Sequence, residues 1–173
     1  MREHDLKVSV KRLMATQLYG VLATQSDSGA PHTSIVAFVS ADDLNSIVFV
    51  TPRNTRKCKY IIARPEVAFF VDDRRERVEE LMQVVGVEAR GRGMLLDADE
   101  YPLYRELYLA KYPEMTEFVD AAGSAMVRIA VSHYDVVDHF QHVVLLQTDS
   151  SPELSDDPQS PPAPRSSGAL CED

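Results

Sequence analysis

The first third of the chain alternates apolar and polar residues with the period of two that is typical of β-strands. Residues 20–39 form two such runs joined by a Ser-Asp-Ser-Gly segment, and residues 47–50 form a third run that is wholly apolar. Short runs separated by glycine, serine and aspartate predict antiparallel strands joined by tight turns. We therefore expect three consecutive strands in this region.

Later segments predict further strands. Residues 67–72 indicate a short buried strand, and residues 84–96, rich in glycine and β-branched residues, indicate a long strand with a glycine kink. Residues 125–132, 134–140 and 142–147 predict three strands that close a barrel. The expected fold class is mainly β, a β-barrel with flanking helices.

Helical periodicity marks the segments between these strands. In residues 5–18 apolar side chains recur at helical spacing: Leu6, Val10, Leu13 and Met14. This pattern predicts an amphipathic helix, capped by Asp5, that covers one end of the barrel. A second helix, capped by Asp97 or Asp99, is expected to run through Lys111, and residues 113–123 predict a short third one.

Composition divides the chain into a domain and a tail. The 173 residues are 45% hydrophobic, which suffices for one compact core. Residues 150–173 hold half of the prolines and five acids against Arg165, with scarcely an apolar side chain. We therefore expect a folded domain over residues 1–149 and a disordered acidic tail over residues 150–173. Without a signal peptide or a long apolar run, a cytoplasmic protein is expected that does not bind membranes.

A local reversal of charge stands out in this acidic chain. The net charge is −9, yet residues 51–65 carry five cations and no acid. The cluster follows the strand at 47–50 and precedes a short helix that ends before Pro65, with Asn54 or Thr55 as N-cap. Free N–H groups of the first helical turn would lie beside Arg56 and Lys57, an arrangement that suits a phosphate. A single basic pocket does not suit nucleic acid, which needs several distributed phosphate contacts.

Four segments with ordered spacing carry a resemblance to a known family. They are Gly29-x-Pro31-x-x-Ser34-x-Val36, Phe49-Val-Thr51, Thr55-Arg-Lys57 and Ile61-x-x-Arg-Pro65-x-x-Ala-Phe-Phe70. Together they resemble the FMN-binding split barrels of the pyridoxamine 5′-phosphate oxidase family, over about residues 6 to 147. The resemblance implies a homodimer with FMN at the subunit interface.

The resemblance also implies which residues bind the cofactor. Arg56 and Lys57 would hold the phosphate, with hydroxyl hydrogen bonds from Thr55 and Thr51. The strand that runs along the flavin ring corresponds to residues 34–37, where backbone groups make most of the contacts. The full expected set is Ser34, Ile35, Val36, Ala37, Val50, Thr51, Thr55, Arg56 and Lys57. No catalytic side chain is assigned.

Departures from the family pattern bear on the substrate. Ser34 stands where the pyridoxamine phosphate oxidases carry an arginine, Val39 stands where they carry a lysine, and their C-terminal arginine and histidine motif has no counterpart here. We therefore expect a flavin oxidoreductase that acts on a small molecule or on a second nicotinamide or deazaflavin cofactor, and not a true pyridoxamine phosphate oxidase. The alternative is a protein that binds flavin or heme without turnover, as a carrier or sensor.

The histidines and cysteines suggest no metal site. His133, His139 and His142 occur without an acid or cysteine at metal-ligand spacing, so they are expected to be ordinary strand residues. His32 has two interpretations: it hydrogen-bonds the flavin or a substrate, or it ends a strand in solvent. Cys58 is expected to be an incidental helix residue.

Overall fold

The structure, a computed structural model, describes residues 3–74, 83–138 and 142–148. Within these ranges there are seven strands: β1 (Tyr19–Gln25), β2 (Pro31–Ser40), β3 (Ser46–Pro52), β4 (Glu66–Asp72), β5 (Gly86–Leu95), β6 (Ser124–Asp138) and β7 (His142–Gln147). The same ranges contain four α-helices: α1 (Glu3–Thr16), α2 (Arg56–Ala63), α3 (Tyr101–Lys111) and α4 (Thr116–Asp120). A 3₁₀ turn, Pro113–Met115, joins α3 to α4. The expected tail, residues 150–173, lies outside the described residues.

Six of these strands form a closed antiparallel barrel. The order is β3-β2-β1-β4-β5-β6, and β3 returns to pair with β6 from Ser46↔Ala130 to Pro52↔Ser124. The mainly β fold class is confirmed. One detail of the prediction is wrong, because β7 does not close the barrel. It pairs with the end of β6, from His133↔Gln147 to Asp138↔His142, as a seventh strand beside the ring.

The segment predicted as two strands, 125–132 and 134–140, is one strand, β6, over its described part. The polar Ser132-His133 pair suggested a break, but the register shows a β-bulge instead. Arg90 pairs with His133 and Gly91 pairs with Val131, so Ser132 is the extra residue. Gly91 lies opposite this bulge: a Cβ there would lie 2.1 Å from the carbonyl oxygen of Ala130, so a side chain would separate the two strands.

The main core fills the barrel and includes one face of α1. All four apolar residues predicted for that face are buried: Leu6, Val10, Leu13 and Met14. They share a cluster with barrel residues such as Phe38, Phe69 and Ile129. The helix begins at Glu3, so the prediction that Asp5 is its cap is wrong; Asp5 lies in the first turn.

A second apolar cluster covers the outer face of β2, β3 and β6. Its buried members are Val39, Val48, Val50, Tyr108, Tyr112, Val119 and Met126. Helix α3 supplies Tyr108 to this cluster and ends at Lys111, as predicted. The prediction that Asp97 or Asp99 is its N-cap is wrong, because the N-cap is Glu100. The Asp97 carboxylate accepts the backbone N–H of Asp99 and of Glu100, each at 3.1 Å, in the turn before the helix. The end of β2 at Phe38 and Val39 is therefore packed on its inner face by the main core and on its outer face by this second cluster.

The turn from β2 to β3 contains an unusual residue. Leu44 has φ +65°, in the left-handed region that favours glycine, and its side chain is buried. The hydroxyl of Tyr134 donates to the Leu44 carbonyl at 2.7 Å, and burial raises the pKa of this tyrosine. Core packing and one buried hydrogen bond therefore hold the strained turn in place.

Candidate cofactor site

Strand β2 changes partners along its length and leaves one edge open. From Pro31 to Ala37 it pairs with β1, whereas only residues 38–40 pair with β3. The Phe38 N–H donates toward β1, to Leu18 at 3.4 Å. Because hydrogen-bonding directions alternate along a strand, both backbone groups of Ile35 and those of Ala37 face away from β1. The Phe38↔Phe49 pair engages the Ala37 carbonyl with the Val50 N–H, so the Ala37 N–H and both groups of Ile35 are left on this side. We call this unpaired side of residues 31–37 the open edge of β2.

Helix α2 starts beside the end of β3 with an incomplete cap. Thr55, not Asn54, is the N-cap, with φ −79° and ψ 155°. Its hydroxyl makes no capping hydrogen bond and instead donates to the Pro52 carbonyl at 2.9 Å. The N–H groups of the first helical turn, which lack partners within a helix, are left without a side-chain acceptor from Thr55. This helix start therefore suits an anion.

Two hydroxyl groups and an ammonium group meet at this helix start. The Lys57 ammonium donates to the Thr51 hydroxyl at 3.3 Å, and the hydroxyl oxygens of Thr51 and Thr55 lie 3.4 Å apart. Thr51 is buried and Lys57 is partly buried. Lys57 makes no ion pair with any described residue. We call these three residues the threonine–lysine cluster; it combines one positive charge with two hydroxyl groups.

Arg56 is the other predicted cation of the site. Arg56 is exposed and makes no hydrogen bond or ion pair with a described residue. The same holds for the side chains of Arg53 and Lys59, while Arg64 donates to the Asp27 carbonyl at 2.8 Å. Three unpaired cations around the helix start give this region a positive potential within an acidic protein.

A contact between α2 and β2 completes the region. The rings of Tyr60 and His32 lie 5.5 Å apart, edge to face. Sequence analysis missed Tyr60, although its spacing of three from Lys57 places both on one helix face. His32 Nδ1 and Ser34 Oγ are buried and have no hydrogen-bond partner among the described residues. Unpaired buried polar atoms cost free energy, so these two atoms indicate a missing partner such as a ligand or water.

The remaining predicted residues are separated by strand alternation. Val36 faces the barrel core, whereas Ile35 has 73% of its surface exposed. Val50 packs in the outer cluster, on the opposite face of β3 from Thr51, and Ala37 packs against the same cluster. Val36 and Val50 can reach a ligand only through backbone groups, as the resemblance implied for residues 34–37.

Cysteine and histidine residues elsewhere offer no competing centre in the part of the chain that the structure describes. Cys58 is the third residue of α2 and is buried, so its thiol is not available to a substrate. No group of three or more metal-ligating side chains occurs among the described residues. His133 Nδ1 lies 3.0 Å from the Ser132 hydroxyl, and His139 lies outside the described residues. The helices described include none with the length and apolar character of a membrane span.

Comparison with protein families identifies the chain. The sequence model of the pyridoxamine 5′-phosphate oxidase family matches residues 6–138, well over half of the chain. The chain belongs to this family. No curated protein sequence matches it significantly. The family assignment agrees with the resemblance drawn from the four sequence segments, each of which ends within the matched range.

Solved structures share the split-barrel fold of the pyridoxamine 5′-phosphate oxidase family at low sequence identity. A heme-binding protein from Mycobacterium smegmatis superposes with a TM-score of 0.71 at 15% identity, over 82% of this chain and 57% of that one. General stress protein 26 from Bacillus anthracis gives 0.63 at 16%, over 82% and 98%. An FAD-binding protein from Mesorhizobium loti gives 0.60 at 17%, over 75% and 91%. The split barrel is therefore shared by proteins named for different cofactors.

Proposed function

We propose that this member of the pyridoxamine 5′-phosphate oxidase family is an FMN-dependent oxidoreductase. The observation that carries the proposal is the threonine–lysine cluster at an incompletely capped helix start, next to the open edge of β2. A flavin mononucleotide needs a cationic, donor-rich place for its phosphate and hydrogen-bonding groups along its ring edge. Both requirements are met by residues that lie side by side in this fold.

The residues present fit the cofactor. The threonine–lysine cluster and the first-turn N–H groups would hold the phosphate. The exposed Arg56 side chain, on the first residue of α2, would add a second positive charge beside it. Backbone groups of Ile35 and Ala37 on the open edge would bind the ring edge. The unpaired Ser34 hydroxyl supplies a further hydrogen-bonding group on the same strand. Bound flavin would supply hydride or electron transfer, while these residues bind and orient it.

A second subunit is the simplest cover for a ring bound at this edge. An apolar row crosses the outer wall of the barrel, with Ile35 opposite Val21 and Val21 opposite Phe70. Tyr19 lies in the neighbouring row with 62% of its surface exposed. Because ligand sites bury most of their ligand, we propose that the protein is a homodimer that joins through this row and encloses the cofactor.

The substrate is proposed to differ from that of the family's namesake oxidases. Ser34 is small and uncharged, and Val39 is buried in the outer cluster, so neither can contribute the charge that the corresponding residues of those oxidases provide. We propose a small molecule or a second redox cofactor as the reaction partner. The cytoplasmic location stays a prediction.

Binding without turnover is the second candidate function. It is favoured by the structural similarity to a protein named for heme binding and by the lack of an assigned general acid or base among the described site residues. The absorption spectrum of the purified protein, with flavin bands or a Soret band, distinguishes the cofactors. Stopped-flow reduction by nicotinamide donors then separates an enzyme from a carrier: no reduction faster than free FMN would favour the carrier.

The double variant Arg56→Ala, Lys57→Ala tests the site. Loss of two charge-assisted phosphate contacts should weaken FMN binding by about a hundredfold or more, near 3 kcal/mol, in a fluorimetric titration. The matched control is Lys59→Ala, which removes an exposed cation from the same helix and should change the Kd by about twofold at most. Without FMN, the thermal midpoint of the double variant should be close to that of the wild type, because neither side chain packs in the core. An unchanged Kd in the double variant would contradict the site.

A further inference from the structure

A separate groove lies between α1 and α3, above the turn from β2 to β3. Its volume is about 540 Å³, which falls within the range of small-molecule sites. We call it the α1–α3 groove. Apolar side chains contributed by both helices, β2 and the turn line its floor: Met14, Val39, Leu44 and Leu107. It shares no residue with the threonine–lysine cluster and lies at the other end of β2 from the open edge.

Cations predominate around this groove. Lys11 and Arg12 contribute from α1 and Lys111 contributes from α3, whereas Asp42 is the only acid in the lining. None of these four side chains forms an ion pair with a described residue. A groove with three unpaired cations in a chain of net charge −9 selects for an anionic ligand.

Of the three cations, Lys111 has an ammonium group that contacts with the protein hold in position. Its ammonium donates to the carbonyl oxygens of Met14, at 3.3 Å, and Gln17, at 2.7 Å, and lies 4.6 Å from the centre of the Phe38 ring. An ammonium has three N–H donors, so one remains after these two hydrogen bonds. Burial lowers the pKa of Lys111 to about 8, because its charge is partly removed from water without a carboxylate partner. An anion in the groove would supply that partner.

We propose that the α1–α3 groove binds an amphipathic carboxylate, a molecule with one acid group and an unbranched apolar chain. The carboxylate would pair with Lys111 and with the α1 cations, and the chain would lie on the apolar floor. A nucleotide or free phosphate fits less well, because the floor offers Met14, Val39 and Leu44 in place of hydrogen-bonding groups. Such a ligand would contact both helices and thereby link α1 to α3.

Calorimetric titration of the full-length protein with decanoate tests this proposal, and decanol serves as the uncharged comparison. We expect saturable binding of one decanoate per chain and much weaker binding of decanol. Two variants act on the groove by different means: Lys111→Met removes the charge, and Ala110→Glu adds a carboxylate to an exposed lining position. Each should weaken decanoate binding about tenfold or more. Because Ala110 is exposed, its variant keeps the test valid if Lys111→Met fails to fold.

Three controls locate the binding. Leu103→Glu adds the same charge on an exposed position of α3 outside the groove and should leave the decanoate Kd within about twofold. Arg56→Ala, Lys57→Ala should leave it unchanged, and saturation with FMN should not compete. The proposal is wrong if decanoate does not saturate, if decanol binds equally well, or if Ala110→Glu has no effect. It is also wrong if binding appears only after removal of residues 149–173, because the tail would then be the occupant.

Discussion

The two halves of strand β2 differ in how their backbone groups are satisfied. Residues 38–40 pair with β3, and the Phe38 carbonyl, which faces the other way, lies 2.8 Å from the Tyr112 hydroxyl. Residues 31–36 pair with β1 alone, and nothing described occupies their other side. The same strand is thus closed by a tyrosine at one end and open at the other. An open edge of this kind is where a ligand can form backbone hydrogen bonds.

The contrast assigns different roles to the two halves. Phe38 is fully buried, and its ring meets Phe69 edge to face at 4.9 Å. In the open half, Ile35 is exposed and Ser34 has a buried hydroxyl that no described residue hydrogen-bonds. Substitutions in the closed half should therefore change stability, and substitutions in the open half should change binding.

Phe38→Ala should have the largest effect. Loss of a fully buried aromatic ring typically costs about 3–5 kcal/mol of unfolding free energy. Urea denaturation of the cofactor-free protein measures this cost. Thr33→Ala, an exposed position in the open half, is the matched control and should change stability by about 0.5 kcal/mol at most. Equal effects of the two substitutions would remove the distinction between the halves.

Ile35→Lys should disrupt the proposed dimer. A charged side chain at the exposed end of the apolar row should weaken association by about 2 kcal/mol or more, and FMN retention should fall with it. Size exclusion coupled to light scattering should show a dimer for the wild type and a species near 19.3 kDa for the variant. Leu103→Lys, on an exposed part of α3, should remain dimeric. A wild-type monomer that keeps stoichiometric FMN would contradict the interface.

Ser34→Ala should produce two small effects of opposite sign. Without ligand, removal of an unpaired buried hydroxyl should leave stability unchanged or slightly higher. With FMN, loss of one hydrogen bond should weaken binding by about 1 kcal/mol, near fivefold. Paired thermal and fluorimetric titrations measure both. If the Kd does not change, the Ser34 hydroxyl is not part of the cofactor site.

The smallest effect on stability should come from the titration of Lys111, whose ammonium lies over the Phe38 ring in the closed half of β2. Its pKa falls from 10.5 to about 8 on folding, so the unfolded chain binds more protons between these values. Its contribution to stability therefore increases as pH rises from 8 to 10.5. The difference in thermal midpoint between wild type and Lys111→Met should move in favour of the wild type over that range. Partial exposure should keep the change below about 1 kcal/mol. A difference that is constant with pH would contradict the shift.

Local sequence signals predicted helices and strands well where the structure of a segment depends mainly on its own residues. Polar residues before apolar periodicity limited the N-cap of α2 to Asn54 or Thr55, and Thr55 is the cap. Glycine within a β-branched run marked the stretch of β5 where Gly91 approaches the backbone of β6. The continuity of β6 could not be predicted in this way. Ser132 is accommodated only because Gly91, on another strand, leaves room for the bulge.

The candidate site was predictable only in part for a similar reason. Spacing brought Thr51, Thr55 and Lys57 together, because a strand end and the next helix start are adjacent in any fold. Lys111 was missed altogether, since its position depends on where α1 ends against α3 in the folded barrel.

The pairing that closes the barrel also sets the order of events in folding. Strands β3 and β6 are more than seventy residues apart along the chain, whereas β1–β2 and β2–β3 pair across short turns. Contacts between distant segments require a costly loop closure and form slowly. Thr51 pairs with Ala125 in this late contact. The position of Thr51 is therefore fixed on both sides only once the ring has closed, so a ligand bound beside it would stabilise the finished barrel.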